Sequence, residues 1–344
     1  MHDAEGQAHP PIGGFLTLAL PGPGGMDRHW QIDPNLAWGN ATSAFAALVA
    51  HLRPGTVWLP GYLCVPFLAA VPRGLRRFFA TLPDCTPDTA TLHGMRPGDL
   101  VLAVDYFGRP PAAAWRDFVV SQPGVTFVED ASQALDPGPA WGDWRLHSAR
   151  KVLGVPEGGL LIPCSDRARG QALPGPDLPP DPGRVIERML PMLARIEAPG
   201  LNRLWHPLNQ VAEAGQLASG RAMSRFALGL LTSLDPAPAI AARKANFALL
   251  ARALPDLALL PDTDPAYAPL GFPILLPAGQ RASVQTHLAA HGIFAAVHWS
   301  EVAAPADFLA EHDRAARCLT LPCDPRYGPA EMDRIVETLR EALP

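Results

Sequence analysis

The feature that most constrains the fold is an alternation of short apolar runs with helical stretches in the first half of the chain. Three runs are continuous enough to be buried strands: residues 56–60, 99–108 and 125–132. Helical patterns accompany them at 42–52, 63–71 and 111–120. Apolar runs of this length separated by helices predict a mostly parallel, doubly wound sheet with helices on both faces. The predicted fold class is therefore α/β.

The pattern divides the chain into three parts. Residues 1–35 are rich in Gly and Pro and predict an N-terminal arm over the main body. Residues 36–235 form the predicted large α/β domain, which closes with helices near 184–196, 202–219 and 224–233. Residues 236–344 form a predicted small α+β domain, entered through a helix over 233–254. Its strands are predicted at 272–277, 294–299 and 318–322, and its helices at 281–291 and 329–342.

Composition and charge exclude several classes of protein. The net charge of −5 gives no electrostatic reason to expect nucleic acid or an anionic membrane as partner. No run approaches the ~20 apolar residues of a membrane span, and the first residues lack the pattern of a signal peptide, so we expect the cytoplasm. The five cysteines are odd in number and form no C-x-x-C pair, which argues against a disulfide framework or a zinc knuckle.

The chain is poor in lysine, and one of its lysines stands in an unusual place. Only two of the 28 basic residues are lysines, Lys151 and Lys244. Lys151 lies in a turn between two strand-like runs, 144–149 and 158–163, and is followed by Glu-Gly-Gly at 157–159. Arginine cannot lose its proton in a protein and cannot form a Schiff base. A site that needs an amine explains this lysine, although GC-rich coding alone could also explain the scarcity.

Two further features lie where a ligand of an open α/β sheet binds. Asp130 ends the run 125–132, and ligands bind at the carboxyl ends of such strands; an N-cap or turn Asp is the alternative interpretation. The segment Gly39–Ser43 opens a helix whose free N–H groups suit a phosphate, although a plain helix cap fits it as well. An anion cradle, a strand-end acid and a lone lysine together predict pyridoxal phosphate as cofactor.

These segments resemble the DegT/DnrJ/EryC1/StrS aminotransferases, fold-type-I pyridoxal phosphate enzymes that often act on nucleotide-linked keto sugars. The resemblance runs from about residue 36 to the C-terminus. Its most specific part is the central block, VEDASQAL at 128–135 and GDWRLHSARKVLGVPEGGLLI at 142–162. Supporting matches are LAWGNATSAFAAL, VWLPGYLC and VDYFGRP before the block, and HGIFAAVHW and LTLPCDPRYGPAEMDRIVETLREAL after it.

The resemblance implies roles for the residues of the central block. Lys151 would form the Schiff base and act as the acid and base. Asp130 would pair with the pyridine nitrogen of the cofactor, and Gln133 would hydrogen-bond its phenolic oxygen. Lys244 falls in a connecting helix and is expected to be a surface residue.

The resemblance also implies a phosphate site, with departures. Ser43 and the backbone N–H groups of Ser43 and Ala44 would hold the phosphate, together with Ser148, which follows Asp143 by five residues as in the family. The glycine that usually precedes the phosphate residue is Thr42 here. Ser148 stands three residues before Lys151, where the family usually has five, so the turn is shorter. The Asn that usually reaches the partner subunit's phosphate is missing from the segment 216–227.

The aromatic residue that normally stacks on the cofactor ring is replaced by Cys64, and Tyr62 is the expected substitute, with Phe67 as the other possibility. His298 near the predicted substrate entrance has a substrate role or a structural one. His147 is expected to pack in the core. Arg150 binds either an anionic substrate group or a surface carboxylate. No His, Cys or Asp grouping is recognised as having metal-ligand spacing, so no metal is predicted.

Three functions compete. The first is an aminotransferase that moves an amino group from an amino acid donor, glutamate by resemblance, to a keto or aldehyde acceptor. The second is a dehydratase with the same cofactor, although relatives of that kind tend to replace the lysine with His. The third is a degenerate relative that binds cofactor or a partner protein without turnover. A homodimer is implied in each case, because the family builds each site at a subunit boundary.

Overall fold

The computed structural model describes residues 10–215, 218–263 and 265–343. Its strands are β1 (Ile12–Gly13), β2 (Ala37–Trp38), β3 (Val57–Pro60), β4 (Arg76–Phe79), β5 (Leu100–Val104), β6 (Thr126–Asp130), β7 (Trp144–Ser148), β8 (Gly159–Pro163), β9 (Phe272–Leu275), β10 (Ile293–Phe294) and β11 (Cys318–Leu321). Its α-helices are α1 (Met26–Trp30), α2 (Ala41–Leu52), α3 (Ala113–Val120), α4 (Ala149–Val152), α5 (Asp166–Arg169), α6 (Pro182–Glu197), α7 (Asn202–Ala214), α8 (Arg225–Thr232), α9 (Pro236–Ala253), α10 (Arg281–Ala290), α11 (Leu309–Arg317) and α12 (Pro329–Ala342).

A seven-stranded sheet organises the large part of the molecule, in the order β2-β8-β7-β6-β5-β3-β4. The neighbours from β7 to β4 run parallel to one another, and only β8 runs antiparallel to the strands beside it. The predicted mostly parallel α/β sheet is thereby confirmed. Its inner strand β5 is buried at every position, which is what a strand covered by helices on both faces requires.

Local sequence signals fix where the main helices begin. Asn40 caps α2, because its side chain accepts the backbone N–H of Ser43 at 2.8 Å. Asp235 caps α9 by accepting the N–H of Ala237 at 3.0 Å, and Pro236 occupies the first helical position. Both caps satisfy N–H groups that the helix itself leaves without acceptors. The start of α2 matters for the site, because it faces the edge of the sheet.

Separate hydrophobic cores hold the two parts together. One core joins α2 to the sheet through residues such as Phe45, Leu59 and Val128. Another lies between α9, α10, α12 and the small sheet β9–β11, and includes Phe247 and Leu288. The N-terminal segment joins this second core, because β1 pairs with β10 and Ile12 is buried there. The domain division at residue 235 stays a prediction.

Some predicted elements differ in kind or length. The helix expected at 63–71 is a short 3₁₀ helix, Val65–Ala70, with Pro66 in its first turn. The strand expected at 99–108 ends at Val104, and the helix expected at 202–219 ends at Ala214, with 216–217 outside the described residues. The strand expected at 294–299 is only the two-residue β10. Within the described ranges, no helix combines the length and apolarity needed to cross a bilayer.

Candidate active site

The predicted site lies at the edge of the sheet where the parallel strands β3, β5, β6 and β7 end. Asp130, the last residue of β6, pairs with Val104 of β5 on one side and Leu146 of β7 on the other. Ser148 ends β7, and Cys64 follows β3 by four residues. The carboxyl ends of parallel strands are the usual ligand site of open α/β sheets. The topology therefore brings residues from separate segments to one edge.

Asp130 presents an unsatisfied carboxylate oxygen at this edge. Its Oδ1 accepts the backbone N–H of Ser132 at 3.0 Å, while Oδ2 has no hydrogen-bond partner among the described residues. The side chain lies on the α2 side of the sheet, because Val128, two residues earlier, packs in the core with α2. The residue is only 6% exposed. A carboxylate oxygen that no described residue bonds is available to a cation or an N–H donor.

Lys151 lies in the one-turn helix α4 that follows β7, and it is half-buried. It forms no hydrogen bond or ion pair with any described residue. Its charge nevertheless acts on two neighbours. Burial raises the pKa of the Cys64 thiol, the Lys151 ammonium opposes that rise, and the charge of Asp130 adds to it. Burial together with the Lys151 charge lowers the pKa of His298 to about 4, so the His298 ring is neutral at pH 7. Lys151, Cys64, Asp130 and His298 therefore belong to one site.

The Glu-Gly-Gly turn after the lysine has a structural explanation. Gly158 has φ +135°, a conformation that other residues rarely adopt. A Cβ at Gly159 would overlap the backbone of Asn40 and Ala41, so the first turn of α2 rests directly on β8. Glu157 is buried and accepts the backbone N–H of Ser224 at 2.6 Å. The turn thus brings the start of α2 against the strand that leads away from Lys151.

The start of α2 offers different donors from those predicted. The Ser43 hydroxyl donates to Asn40 Oδ1 at 2.9 Å and accepts the N–H of Ser219 at 2.9 Å. The Ser43 N–H is held by the Asn40 cap, and the Ala44 N–H donates to the Asn40 carbonyl at 3.2 Å. The amides of Ala41 and Thr42, the first two of the helix, have no intrahelical acceptor. We therefore expect an anion at Ala41 and Thr42. Thr42 was not among the predicted ligand residues, although the cap at Asn40 is the signal that could have suggested it.

Ser148 lies beside this helix start. It pairs with Gly159 in the sheet, and Gly159 abuts Asn40 and Ala41. Ser148 is 5% exposed, and its hydroxyl has no hydrogen-bond partner among the described residues. A serine hydroxyl can both donate and accept a hydrogen bond, so this one can bind an anion. Ser148 and the first turn of α2 therefore form a candidate anion site.

Gln133 is held in one orientation by the backbone. Its Oε1 accepts the N–H of Phe107 at 2.6 Å, and the residue is 2% exposed. Because the oxygen is engaged, the Nε2 group is left as a hydrogen-bond donor. A donor at this point suits a negatively charged oxygen of a ligand.

Tyr62 lies behind the site and is fully buried. Its ring packs against Tyr106 and Trp299, with centroids 5.5 and 5.4 Å away. Its hydroxyl donates to the carbonyl oxygen of His298. These contacts already occupy the Tyr62 ring and hydroxyl, so its stacking on a ligand stays a prediction that they do not favour. Cys64, whose pKa responds to Lys151 and Asp130, is the half-buried residue on that segment.

The remaining residues divide between structural and surface roles. His147 is fully buried and stacks on Trp30 with centroids 4.1 Å apart, and burial lowers its pKa well below the usual value. Arg150 pairs with Glu213 at 2.7 Å on the surface. Lys244 donates to the Ala266 carbonyl at 2.7 Å, away from the site. His298 belongs to the site, where its Nδ1 shares a hydrogen bond of 2.9 Å with the Thr320 hydroxyl.

No protein-family model and no curated protein matches this sequence. Solved structures do match it. A DegT DnrJ EryC1 StrS aminotransferase from Brucella abortus is 16% identical, with a TM-score of 0.64 over 92% of this chain and 87% of that one. Spr1654 from Streptococcus pneumoniae, assigned as a sugar aminotransferase and solved in its PLP form, is 15% identical, with a TM-score of 0.65 over 96% and 93%. DesI with its TDP-sugar product is 21% identical, with a TM-score of 0.61 over 97% and 94%.

At these identities the likeness establishes the fold. The chain has the fold of the DegT/DnrJ/EryC1/StrS aminotransferases, as its sequence motifs predicted, over nearly its whole length. The predicted fold-type-I architecture is confirmed.

Proposed function

We propose that the protein is a pyridoxal phosphate-dependent aminotransferase. The observation that carries the proposal is an amine with no protein partner among the described residues, Lys151, in one site with the free carboxylate oxygen of Asp130. Neither group is paired with the other, although both charges act on the Cys64 thiol. Their separate, partly buried positions are explained if a ligand lies between them, with an aldehyde for the amine and a ring nitrogen for the acid.

The residues present fit this cofactor. The Asp130 Oδ2 would accept a hydrogen bond from the protonated ring nitrogen. Its other oxygen, Oδ1, is already bonded to the Ser132 N–H. The oriented Nε2 of Gln133 would donate to the phenolic oxygen. The Ser148 hydroxyl and the amides of Ala41 and Thr42 would hold the phosphate at the start of α2, where the helix dipole favours an anion.

The cofactor, when bound, supplies an electron sink that makes the α-proton of an attached amino acid acidic. Asp130 would keep the charge on the ring nitrogen that this sink requires. Lys151 would hold the aldehyde of the cofactor, and its free amine would serve as the base that takes and returns the α-proton. The neutral ring of His298 adds no second positive charge, which would repel a protonated amino donor.

We propose an amino acid, glutamate by resemblance, as the donor and a keto or aldehyde compound as the acceptor. The names of the solved relatives support a nucleotide-linked keto sugar as the acceptor class, because they include sugar aminotransferases and a TDP-sugar product complex. Among the alternatives, Lys151 disfavours the dehydratase. The shortened turn and the absent stacking aromatic favour a binding protein without turnover.

We also propose a homodimer in the cytoplasm. The helical hairpin α6–α7 exposes an apolar stripe, with Ile186, Leu190 and Leu193 on α6 and Leu204 and Val211 on α7 each at least 40% exposed. Exposed apolar patches of this kind mark interaction surfaces. A second copy is the partner that the fold resemblance supports, and light scattering after gel filtration would measure the mass in solution.

The visible absorption spectrum with added pyridoxal phosphate tests the proposed function, with wild type beside Lys151→Ala. We expect the band of a lysine-bound cofactor in the wild type alone, and its loss on adding glutamate. A wild-type band that no amino acid alters would favour the binding protein. The absence of a band, or an equal band in the variant, would overturn the role of Lys151.

A further inference from the structure

The small domain carries a cluster of metal-ligand side chains far along the chain from Lys151. His287 and His291 lie four residues apart at the end of α10, and Glu341 lies in the last turn of α12. One ligand atom from each lies within 4.8 Å of the others. The sequence analysis did not single out this histidine pair, although residues four apart share one face of a helix.

We propose that His287, His291 and Glu341 bind a divalent transition metal of the zinc class. Two imidazoles and one carboxylate are a donor set that Zn²⁺ accepts, with water as a fourth ligand. The histidines exclude Mg²⁺ and Ca²⁺, which prefer oxygen ligands. The proposal uses none of the residues of the aminotransferase site.

The hydrogen bonds of the cluster prepare it for a metal. His291 Nδ1 donates to the His287 carbonyl oxygen at 2.8 Å. In the neutral ring this bond fixes the tautomer, so that Nε2 carries the lone pair. Histidine ligands of metals usually make this kind of second bond to a backbone carbonyl.

The ligand atoms of His287 and Glu341 are also available to a metal. The Nε2 atom of His287 is buried and has no hydrogen-bond partner among the described residues, and Glu341 Oε2 lies 3.8 Å away. Tetrahedral zinc with bonds of about 2.0–2.1 Å needs its donors about 3.3 Å apart. The required approach is small, and the largely exposed Glu341 side chain can make it.

The surroundings also favour a cation. The cluster stands at the C-terminal end of α10, where the helix dipole is negative. Arg334 is the nearby positive group, and it donates to the carbonyl of His291 at 3.4 Å, which holds α12 against the end of α10. The metal would therefore join two helices that already pack together through Leu288 and Leu339.

Zinc titration of the full-length chain, purified without a histidine tag and treated with a chelator, tests the inference. We expect one Zn²⁺ per chain, measured by calorimetry, and a rise of a few degrees in Tm at saturation. His287→Ala and His291→Ala should each remove the saturable site. Glu341→Gln should weaken binding at least about 10-fold, the loss that even outer partners of a metal site cause.

The matched control is His93→Ala. His93 is exposed, and its Nδ1 bonds a carbonyl at 3.1 Å, as that of His291 does. This variant should bind zinc like the wild type. Absence of a saturable site, or a site that survives His287→Ala, would overturn the proposal. An unchanged affinity in Glu341→Gln would overturn the three-ligand set. Circular dichroism of each variant separates lost binding from lost folding.

Discussion

The two faces of strand β6 carry neighbouring carboxylates with opposite surroundings. Glu129 is fully buried, and its oxygens accept Arg145 at 2.7 Å and the backbone N–H of Trp141 at 3.1 Å. Asp130, one residue later on the other face, keeps an oxygen without a donor. A buried charge whose partners are complete stabilises the scaffold. A buried charge with a missing partner indicates where a ligand binds.

The two lysines repeat the contrast. Lys244 is bonded to the Ala266 carbonyl and lies 3.4 Å from Asp136 on the surface. Lys151 has no such partner within the described part of the chain, although burial and the Lys151 charge together lower the pKa of His298. The two lysines therefore differ as the two carboxylates do.

The largest effect on activity should come from replacing Lys151 with arginine, and the same replacement at Lys244 is its control. Lys151→Arg keeps the charge but removes the amine, so transaminase activity should fall at least about 10³-fold, within the range that proton transfer contributes. Lys244→Arg should leave activity near wild type. Measured kcat/KM of both variants decides the matter, and a mildly affected Lys151→Arg would contradict the proposed role.

The carboxylates of β6 should separate activity from stability. Asp130→Asn should lower kcat about 10²-fold or more, because it removes the charge facing the ring nitrogen, with little change in stability. Glu129→Gln should cost about 3 kcal/mol of unfolding free energy, because it leaves Arg145 without its partner. Denaturant unfolding and kcat, measured on both, test the contrast. Equal losses of stability in the two variants would speak against it.

Substitutions at Thr42 and Ser43 should also separate ligand binding from stability, with smaller effects than those at the β6 carboxylates. Thr42→Pro should weaken cofactor binding about 10-fold, because it removes an amide donor to a charged group, which contributes about 1.5–3 kcal/mol, while proline is tolerated in the first turn of a helix. Ser43→Ala should cost about 1 kcal/mol of stability, because it removes two internal hydrogen bonds. Cofactor titration and urea unfolding measure the two quantities. A larger loss of cofactor binding in Ser43→Ala would instead support the predicted role of Ser43 as the phosphate ligand.

The smallest effect is expected at Asp105→Asn, because an amide can replace a protonated carboxyl. Burial and the charge of Glu129 raise the Asp105 pKa well above its usual value. Its stabilising contribution is complete below the unfolded pKa near 3.8 and is lost as pH rises through the folded pKa. Asp105→Asn should remove that decline. Unfolding free energies from pH 4 to pH 8 should fall less in the variant, and parallel curves would refute this.

Much of the fold could be predicted, because buried strands are visible as apolar runs. The runs that became β5, β6 and β7 were recognised within a few residues of their ends. The two-residue strand β2 was not, because it is too short to show a period. At 63–71 the apolar pattern suggested an α-helix, but Pro66 removes an amide donor and the segment forms a 3₁₀ helix instead.

The site was predictable where one residue type carries the chemistry. Lys151 and Asp130 could be proposed because an amine and a strand-end acid have few other reasons to occur there. The anion donors could not be fixed, since the cap at Asn40 and the contact from Ser219 decide which groups of Ser43 remain available. The proposed metal cluster needed the structure, because Glu341 lies fifty residues from His291 and only packing brings it close.

Gly159 has a mechanical consequence. Because its missing side chain lets α2 rest on β8, the helix start packs directly against the strand that follows the Lys151 turn. We therefore expect an anion bound at the helix start to stabilise that turn. Inorganic phosphate alone should slow amide hydrogen exchange in residues 157–160, and Gly159→Ala should weaken this effect, because the added Cβ would push the helix away from the strand.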